Sequence, residues 1–90
     1  MNYSIQQIDE IRTIIIDLKV KKEELEDLKF DVYDIADSNK DLYILSFYYS
    51  GEERVFKIPM LTLIDLYNAK ITSLKLEIES LEKRLQELVK

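Results

Sequence analysis

The chain is 90 residues long and carries a formal net charge of −5, from 13 basic and 18 acidic side chains. It contains no cysteine and no histidine, which excludes a disulfide framework, a thiolate metal site and the usual imidazole base. An acidic chain neutralises phosphates poorly, so direct binding to nucleic acid is not expected. We therefore predict a protein that is not an enzyme and that uses no metal and no cofactor.

The first predicted element is a helix over about residues 4–36. Ser4 and Gln7 have the spacing of a capping box at its start. Apolar residues then recur at helical spacing along one stripe, formed by Ile8, Ile11, Ile15, Leu18, Leu25 and Val32. Lys22 and Lys29 interrupt this stripe. Turn-forming residues at positions 37–41 are expected to end the helix.

A β-hairpin is predicted over about residues 42–58. Residues 42–49 are rich in aromatic and branched aliphatic side chains, which are typical of a strand, and residues 54–58 form a shorter second strand. Residues 50–53 are the predicted turn. Both faces of this hairpin are apolar, and an isolated two-stranded hairpin is only marginally stable in water. Leu45 and Phe47 on one face are accordingly candidates for a self-association surface.

A second helix is predicted over about residues 60–89. Its apolar residues alternate in steps of four and three, which is typical of a coiled-coil seam. They are Met60, Ile64, Tyr67, Ile71, Leu74, Ile78, Leu81, Leu85 and Leu88. An antiparallel pairing that sets Leu18 beside Ile78 aligns this seam with the stripe of the first helix. The predicted fold is mainly α with a small β-hairpin: a single domain over residues 1–90, in which an antiparallel two-helix coiled coil is joined by the hairpin and assembles into a larger bundle.

Assembly is expected because other apolar residues of the first helix fall outside the predicted stripe. Ile14, Leu28 and Ile35 are the members of this group that we assign to self-association, together with the hairpin residues named above. The predicted product is a dimer or a larger homo-oligomer.

Two sets of residues are candidates for binding a partner. Residues 23–41 contain eight acidic and two basic side chains, and Glu23, Asp27, Asp31 and Asp34 lie on one line of the predicted helix. Such a line suits a basic protein surface, although a solvated helix face or a hard-cation site is also compatible with it. The second set is aromatic, and comprises Tyr43, Tyr48 and Tyr49 near the hairpin.

The order of helix, hairpin and helix, carried mainly by residues 42–88, resembles that of prefoldin subunits, and a holdase chaperone is the function this resemblance would imply. The small, acidic, cysteine-free composition is similar in character to that of phage or mobile-element accessory proteins that inhibit host enzymes. Our leading hypothesis is a cytoplasmic adaptor or inhibitor that binds a basic protein surface through its acidic, tyrosine-rich hairpin end. The alternatives are a prefoldin-like holdase and a sequestering binder of a small ligand. No stretch is apolar enough to suggest a membrane span.

Overall fold

The computed structural model describes residues 3–90 as two long helices joined by a hairpin, in a molecule measuring 57 × 33 × 14 Å. Helix α1 spans Ile5–Asp37, strand β1 Leu42–Tyr49, strand β2 Glu52–Pro59 and helix α2 Met60–Leu88. The predicted order of elements is confirmed, and every boundary lies within two residues of its predicted place.

The two helices begin in different ways. At α1 the predicted capping box is present, because the Ser4 hydroxyl accepts a hydrogen bond from the Gln7 amide at 3.1 Å and the Gln7 side chain accepts one from the Ser4 amide at 2.9 Å. Helix α2 has no side-chain cap and follows Pro59 directly. The Met60 amide instead donates to the carbonyl of Asp41 at 2.9 Å, which joins the start of α2 to the residue before β1.

The helices run antiparallel and bury an apolar seam between them. On α2 the predicted seam is correct: Ile71, Leu74 and Ile78 are buried, and Leu74 is only 1% exposed. Leu18 and Ile78 belong to the same buried cluster, as the predicted pairing requires. Two ion pairs between the helices support the same alignment, since Arg84 lies 2.9 Å from Glu10 and Lys70 lies 4.0 Å from Glu24.

The predicted stripe on α1 is partly wrong. Ile8 and Ile15 are 45% and 52% exposed, whereas Ile14 and Ile35 are 6% and 9% exposed and Leu28 is half-buried. The stripe that faces α2 keeps the predicted Ile11, Leu18, Leu25 and Val32. Ile14, Leu28 and Ile35 therefore pack within the chain and do not remain available for self-association. Helix α1 is rotated about its axis relative to the predicted pairing. This rotation is favoured because it places one lysine in the seam, where the predicted stripe places two.

That lysine is Lys21, whose side chain is 25% exposed. Its ammonium group lies 2.9 Å from a Glu77 carboxylate oxygen and 3.9 Å from one of Asp17. The hydrogen bond to Glu77 is the main cause that raises the pKa of Lys21, and the same bond lowers the pKa of Glu77. Lys22 and Lys29, which the sequence analysis placed in the seam, are exposed.

The hairpin turn is tighter than predicted. Ser50 and Gly51 alone connect the strands, with φ angles of +53° and +78°, and such a two-residue turn with both φ values positive matches the twist of an antiparallel pair. Glu52 is not part of the turn but pairs with Tyr49 as the first residue of β2. The register continues to the pair of Leu42 and Pro59, so the strands are of equal length.

Candidate interaction surface

Among the described elements, the two strands of the hairpin have the highest proportion of exposed large apolar side chains. All six buried apolar residues among the described positions lie in the helices, whereas within the hairpin only Tyr43 and Ile58 reach half-burial. The large apolar side chains left exposed on the strands are Leu42, Ile44, Leu45, Phe47, Tyr48, Tyr49, Val55 and Phe56. Clusters of exposed aromatic and aliphatic side chains are typical of protein contact surfaces.

The register divides these side chains between two faces, because neighbours along a strand point in opposite directions. One face, which we call the Phe47 face, carries Tyr43, Leu45, Phe47, Tyr49, Phe56 and Ile58. The other, the Ile44 face, carries Leu42, Ile44, Tyr48 and Val55. The rings of Phe47 and Phe56 are stacked, with centroids 5.6 Å apart and planes at 17°. The Phe47 face is thus partly covered by its own side chains, whereas Ile44 and Tyr48 are 72% and 75% exposed.

The three tyrosines proposed for partner binding occupy different environments. Tyr43 is half-buried, and its hydroxyl contacts the Ser38 hydroxyl and lies 3.2 Å from the Ile35 carbonyl oxygen, to which it donates. It therefore ties β1 to the end of α1. Tyr48 and Tyr49 are 75% and 64% exposed and point to opposite faces. These two rings, and not that of Tyr43, are free to contact another molecule.

The acidic line on α1 keeps its charge unneutralised. Its four members, which we call the acidic stripe, are all exposed: Glu23, Asp27, Asp31 and Asp34. Within residues 3–90 none of these four carboxylates forms a salt bridge, whereas neighbouring Glu24 and Glu26 each lie within 4.0 Å of a lysine ammonium group. The stripe thus presents its negative charge to solvent.

Asp31 stands closest to the seam. Burial is the main cause that raises the pKa of the Tyr67 hydroxyl, and the negative charge of Asp31 adds to the effect because it opposes formation of a tyrosinate anion. The stripe follows the second half of α1, from Glu23 near the middle of the helix to Asp34 near the hairpin, and Asp31 borders the helix pair.

Two features are absent from the described part of the chain. Across residues 3–90, no group of three or more carboxylates is placed to hold a metal ion. Neither helix in this range combines the length and the apolar character needed to cross a membrane.

Leu45 and Phe47, the strand residues assigned to self-association from the sequence, are 45% and 42% exposed, and their role in self-association stays a prediction. Both faces of the hairpin were expected to be apolar, but Ile44, Val55 and Phe56 were not assigned to a site, and they extend the exposed surface to the second face and the second strand. The signal that finds them is the two-residue period within each strand, read together with the register that a two-residue turn imposes.

Comparison of the chain with protein-family models, with curated proteins and with solved structures found no match.

Proposed function

We propose that this chain is a non-catalytic, self-associating interaction protein that presents its acidic, tyrosine-rich hairpin end to a protein partner with a basic surface. In this account the helix pair is an antiparallel coiled coil that serves as a rigid support. The partner is held by the acidic stripe and by exposed tyrosines, and the protein acts as an adaptor or as an inhibitor that occupies a basic surface.

A coiled coil is favoured by the spacing of the less exposed residues. On α1 they follow steps of three and four through Ile11, Ile14, Leu18, Lys21, Leu25, Leu28, Val32 and Ile35. The ion pairs that flank a coiled-coil seam are also present, as Glu10 with Arg84 on one side and Lys22 with Glu82 on the other. A helix pair that acts as a rigid scaffold in this way needs no catalytic cleft.

The observation that carries the proposal is that two exposed surfaces, the aromatic hairpin and the acidic stripe, lie toward the same end of the molecule. Tyr43 joins β1 to the carbonyl of Ile35, which follows Asp34 of the acidic stripe directly in the chain. The half-buried Tyr43 therefore joins the aromatic hairpin to the end of α1 that carries Asp34, and the exposed rings of Tyr48 and Tyr49 lie about 17–20 Å further along β1. Tyrosine supplies much of the buried area at protein contacts, and exposed charges set the rate and selectivity of association.

The test is an affinity measurement with charge-reversed variants. The first variant carries Asp27→Lys, Asp31→Lys and Asp34→Lys. The matched control carries Asp9→Lys, Asp65→Lys and Glu79→Lys, which change the net charge equally at exposed carboxylates that form no salt bridge within residues 3–90. Partners are captured from a host lysate by the wild-type chain, identified, and then measured as pure proteins against all three chains.

We expect the stripe variant to lose binding while the control retains it, and we expect both to keep the helical circular dichroism of the wild type because exposed charges contribute little to folding. Wild-type affinity should also fall with added salt, since attraction between exposed charges is screened over about 8–10 Å at physiological ionic strength. Equal affinity of the stripe variant and the wild type would exclude the stripe as the contact surface. Suppression of aggregation of many unrelated unfolded clients, with no defined partner, would instead favour a holdase.

A further inference from the structure

The two edges of the hairpin differ sharply in chemistry. Strand β1, with the sequence LYILSFYY, contains no charged residue and no proline. Strand β2, with the sequence EERVFKIP, contains four charged residues and ends in Pro59. Charged side chains and proline are the usual protection of an edge strand against pairing with another chain. The β2 edge has this protection and the β1 edge lacks it.

The β1 edge also offers free backbone groups at known positions. The sheet has only two strands over the described residues, so β1 pairs with β2 alone. Because the two-residue turn closes with a bond between Tyr49 and Glu52, alternate residues from Tyr49 backward direct their backbone groups toward β2. Ile44, Ser46 and Tyr48 therefore direct their N–H and C=O groups away from β2 and toward the open edge.

We propose that the β1 edge pairs antiparallel with the β1 edge of a second copy of this chain, which forms a continuous four-stranded sheet across a two-fold axis at Ser46. The inference rests on the self-association contained in the proposed function and specifies its geometry. A two-fold axis perpendicular to the sheet keeps each face on its own side and sets Ser46 opposite its own counterpart.

This register produces favourable neighbours on both faces. Ile44 comes to lie opposite Tyr48 of the second copy, and Leu45 opposite Phe47 of the second copy, each pair occurring twice by symmetry. Aromatic rings beside aliphatic side chains are stabilising cross-strand neighbours. No charged residue enters the new strand pair, whereas pairing of two β2 edges would bring the charged residues of both copies together.

Most of the exposed apolar surface of the hairpin belongs to the strand at the proposed contact. Six of the eight exposed apolar side chains lie on β1, from Phe47 at 42% exposed to Tyr48 at 75% exposed. With about 150–250 Å² for each aromatic side chain and less for each aliphatic one, these six carry roughly 600 Å² of exposed apolar surface. Edge pairing covers the part of this surface that faces the second copy, which places the contact at the lower end of specific interfaces, below about 1,200 Å² in total.

The experiment uses cysteine crosslinking, for which the chain is suited because it has no cysteine of its own. Ser46→Cys places two thiols across the two-fold axis, where a hydrogen-bonded antiparallel pair has a Cα separation of about 5.5 Å. This separation lies within the range of about 4.4–6.8 Å that a disulfide needs. The control is Val55→Cys, directly opposite Ser46 on β2 and on the same face. Its two copies would stand about three strand spacings apart, roughly 14 Å.

With oxidised glutathione, we expect Ser46→Cys to become a disulfide-linked dimer in nearly full yield and Val55→Cys to remain mostly uncrosslinked. A second pair of variants tests the edge without a crosslink. Ile44→Lys introduces a charge at the β1 edge and should raise the dimer dissociation constant at least about tenfold, whereas Val55→Lys, at a similarly exposed position on the same face, should change it less than about threefold.

Two results would overturn the inference and are distinguishable from each other. A wild-type chain that sedimentation finds to be monomeric at about 100 µM, well above the dissociation constants of specific protein pairs, would remove self-association from the proposed function as well and would leave the β1 edge to a foreign strand. A wild-type oligomer that is insensitive to Ile44→Lys and crosslinks no better through Ser46→Cys than through Val55→Cys would retain self-association and exclude the β1 edge.

Discussion

The helix pair and the hairpin differ in how far they bury their apolar side chains. In the helix pair, each helix covers the apolar stripe of the other, and Leu74 at the centre is 1% exposed. In the hairpin, two strands pair through their backbones but leave both faces open, and Tyr48 is 75% exposed. The apolar core of the described residues therefore lies in the helix pair, and the hairpin contributes no fully buried side chain to it.

The largest effect should come from the centre of the helix pair. Leu74→Ala removes the most buried side chain and leaves a cavity, so we expect a loss of about 3 kcal/mol in the free energy of unfolding. Leu76→Ala, two residues along the same helix and 62% exposed, should cost less than about 0.5 kcal/mol. Urea unfolding followed by circular dichroism at 222 nm measures both, and equal losses would contradict the assigned core.

The hairpin turn offers a smaller change confined to the other region. Gly51 has a φ of +78°, and a Cβ atom there would meet nothing within 4 Å, so Gly51→Ala should cost about 1 kcal/mol through backbone strain alone. Ser50→Asn, at a φ of +53°, should stabilise the turn by a few tenths of a kcal/mol because asparagine tolerates this region better. Near-ultraviolet tyrosine dichroism follows the hairpin once Tyr3, Tyr33 and Tyr67, which lie outside it, are replaced by phenylalanine in the reference chain and the variants alike. The helical signal serves as the reference. Equal shifts of both signals would show that the two regions unfold as one unit.

The elements themselves could be predicted from the sequence because their signals are local. Ser4 and Gln7 mark the start of α1, and the steps of four and three along α2 admit a single stripe. The stripe of α1 could not be read as securely, because two overlapping stripes share Ile11, Leu18, Leu25 and Val32. One adds Ile8 and Ile15 with two lysines, and the other adds Ile14, Leu28 and Ile35 with one lysine. The two possible stripes differ in the number of lysines that interrupt them, and the stripe with fewer lysines is the one that faces α2.

The candidate surface was harder to predict than the fold, since exposure depends on contacts between elements. Tyr43 and Tyr48 are both tyrosines in a predicted strand, yet only Tyr43 lies where the chain turns from α1 into β1, so that its hydroxyl reaches the Ile35 carbonyl. A strand pattern assigns side chains to faces but does not decide which face another element covers.

Lys21 allows a finer test of the corrected seam. Lys21→Leu replaces the interrupting charge with an apolar side chain, so we expect the midpoint of thermal unfolding to rise by a few degrees despite the loss of the contact with Glu77. Lys22→Leu, at the neighbouring exposed position, should leave the midpoint nearly unchanged. The opposite ranking would restore the stripe that contains Lys22 and would require α1 to rotate.

The smallest effect concerns alkaline pH. The pKa of Tyr67 is raised by burial and by the charge of Asp31, so the folded state holds the phenolic proton more tightly than the unfolded state does. The resulting stability is fully present below the ordinary tyrosine pKa of about 10 and is lost as pH rises through the raised value. Asp31→Asn should weaken the part of the pH dependence that comes from Tyr67, and Tyr67→Phe should remove that part, whereas the part from Lys21, whose pKa is also raised, should remain. Asp34→Asn, at an exposed carboxylate three residues further along α1, is the control, and unfolding midpoints from pH 8 to about 12 are the measurement.

Hydrogen exchange at different protein concentrations tests the contrast between the two regions most directly. We expect the outward amides of Ile44, Ser46 and Tyr48 to gain protection as the concentration rises from about 1 µM to about 500 µM, because a second copy covers them. Amides at the centre of the helix pair, such as that of Leu74, should show strong protection that does not change over this range. Protection of the β1 amides that is independent of concentration would contradict the claim that the hairpin is completed by a partner copy.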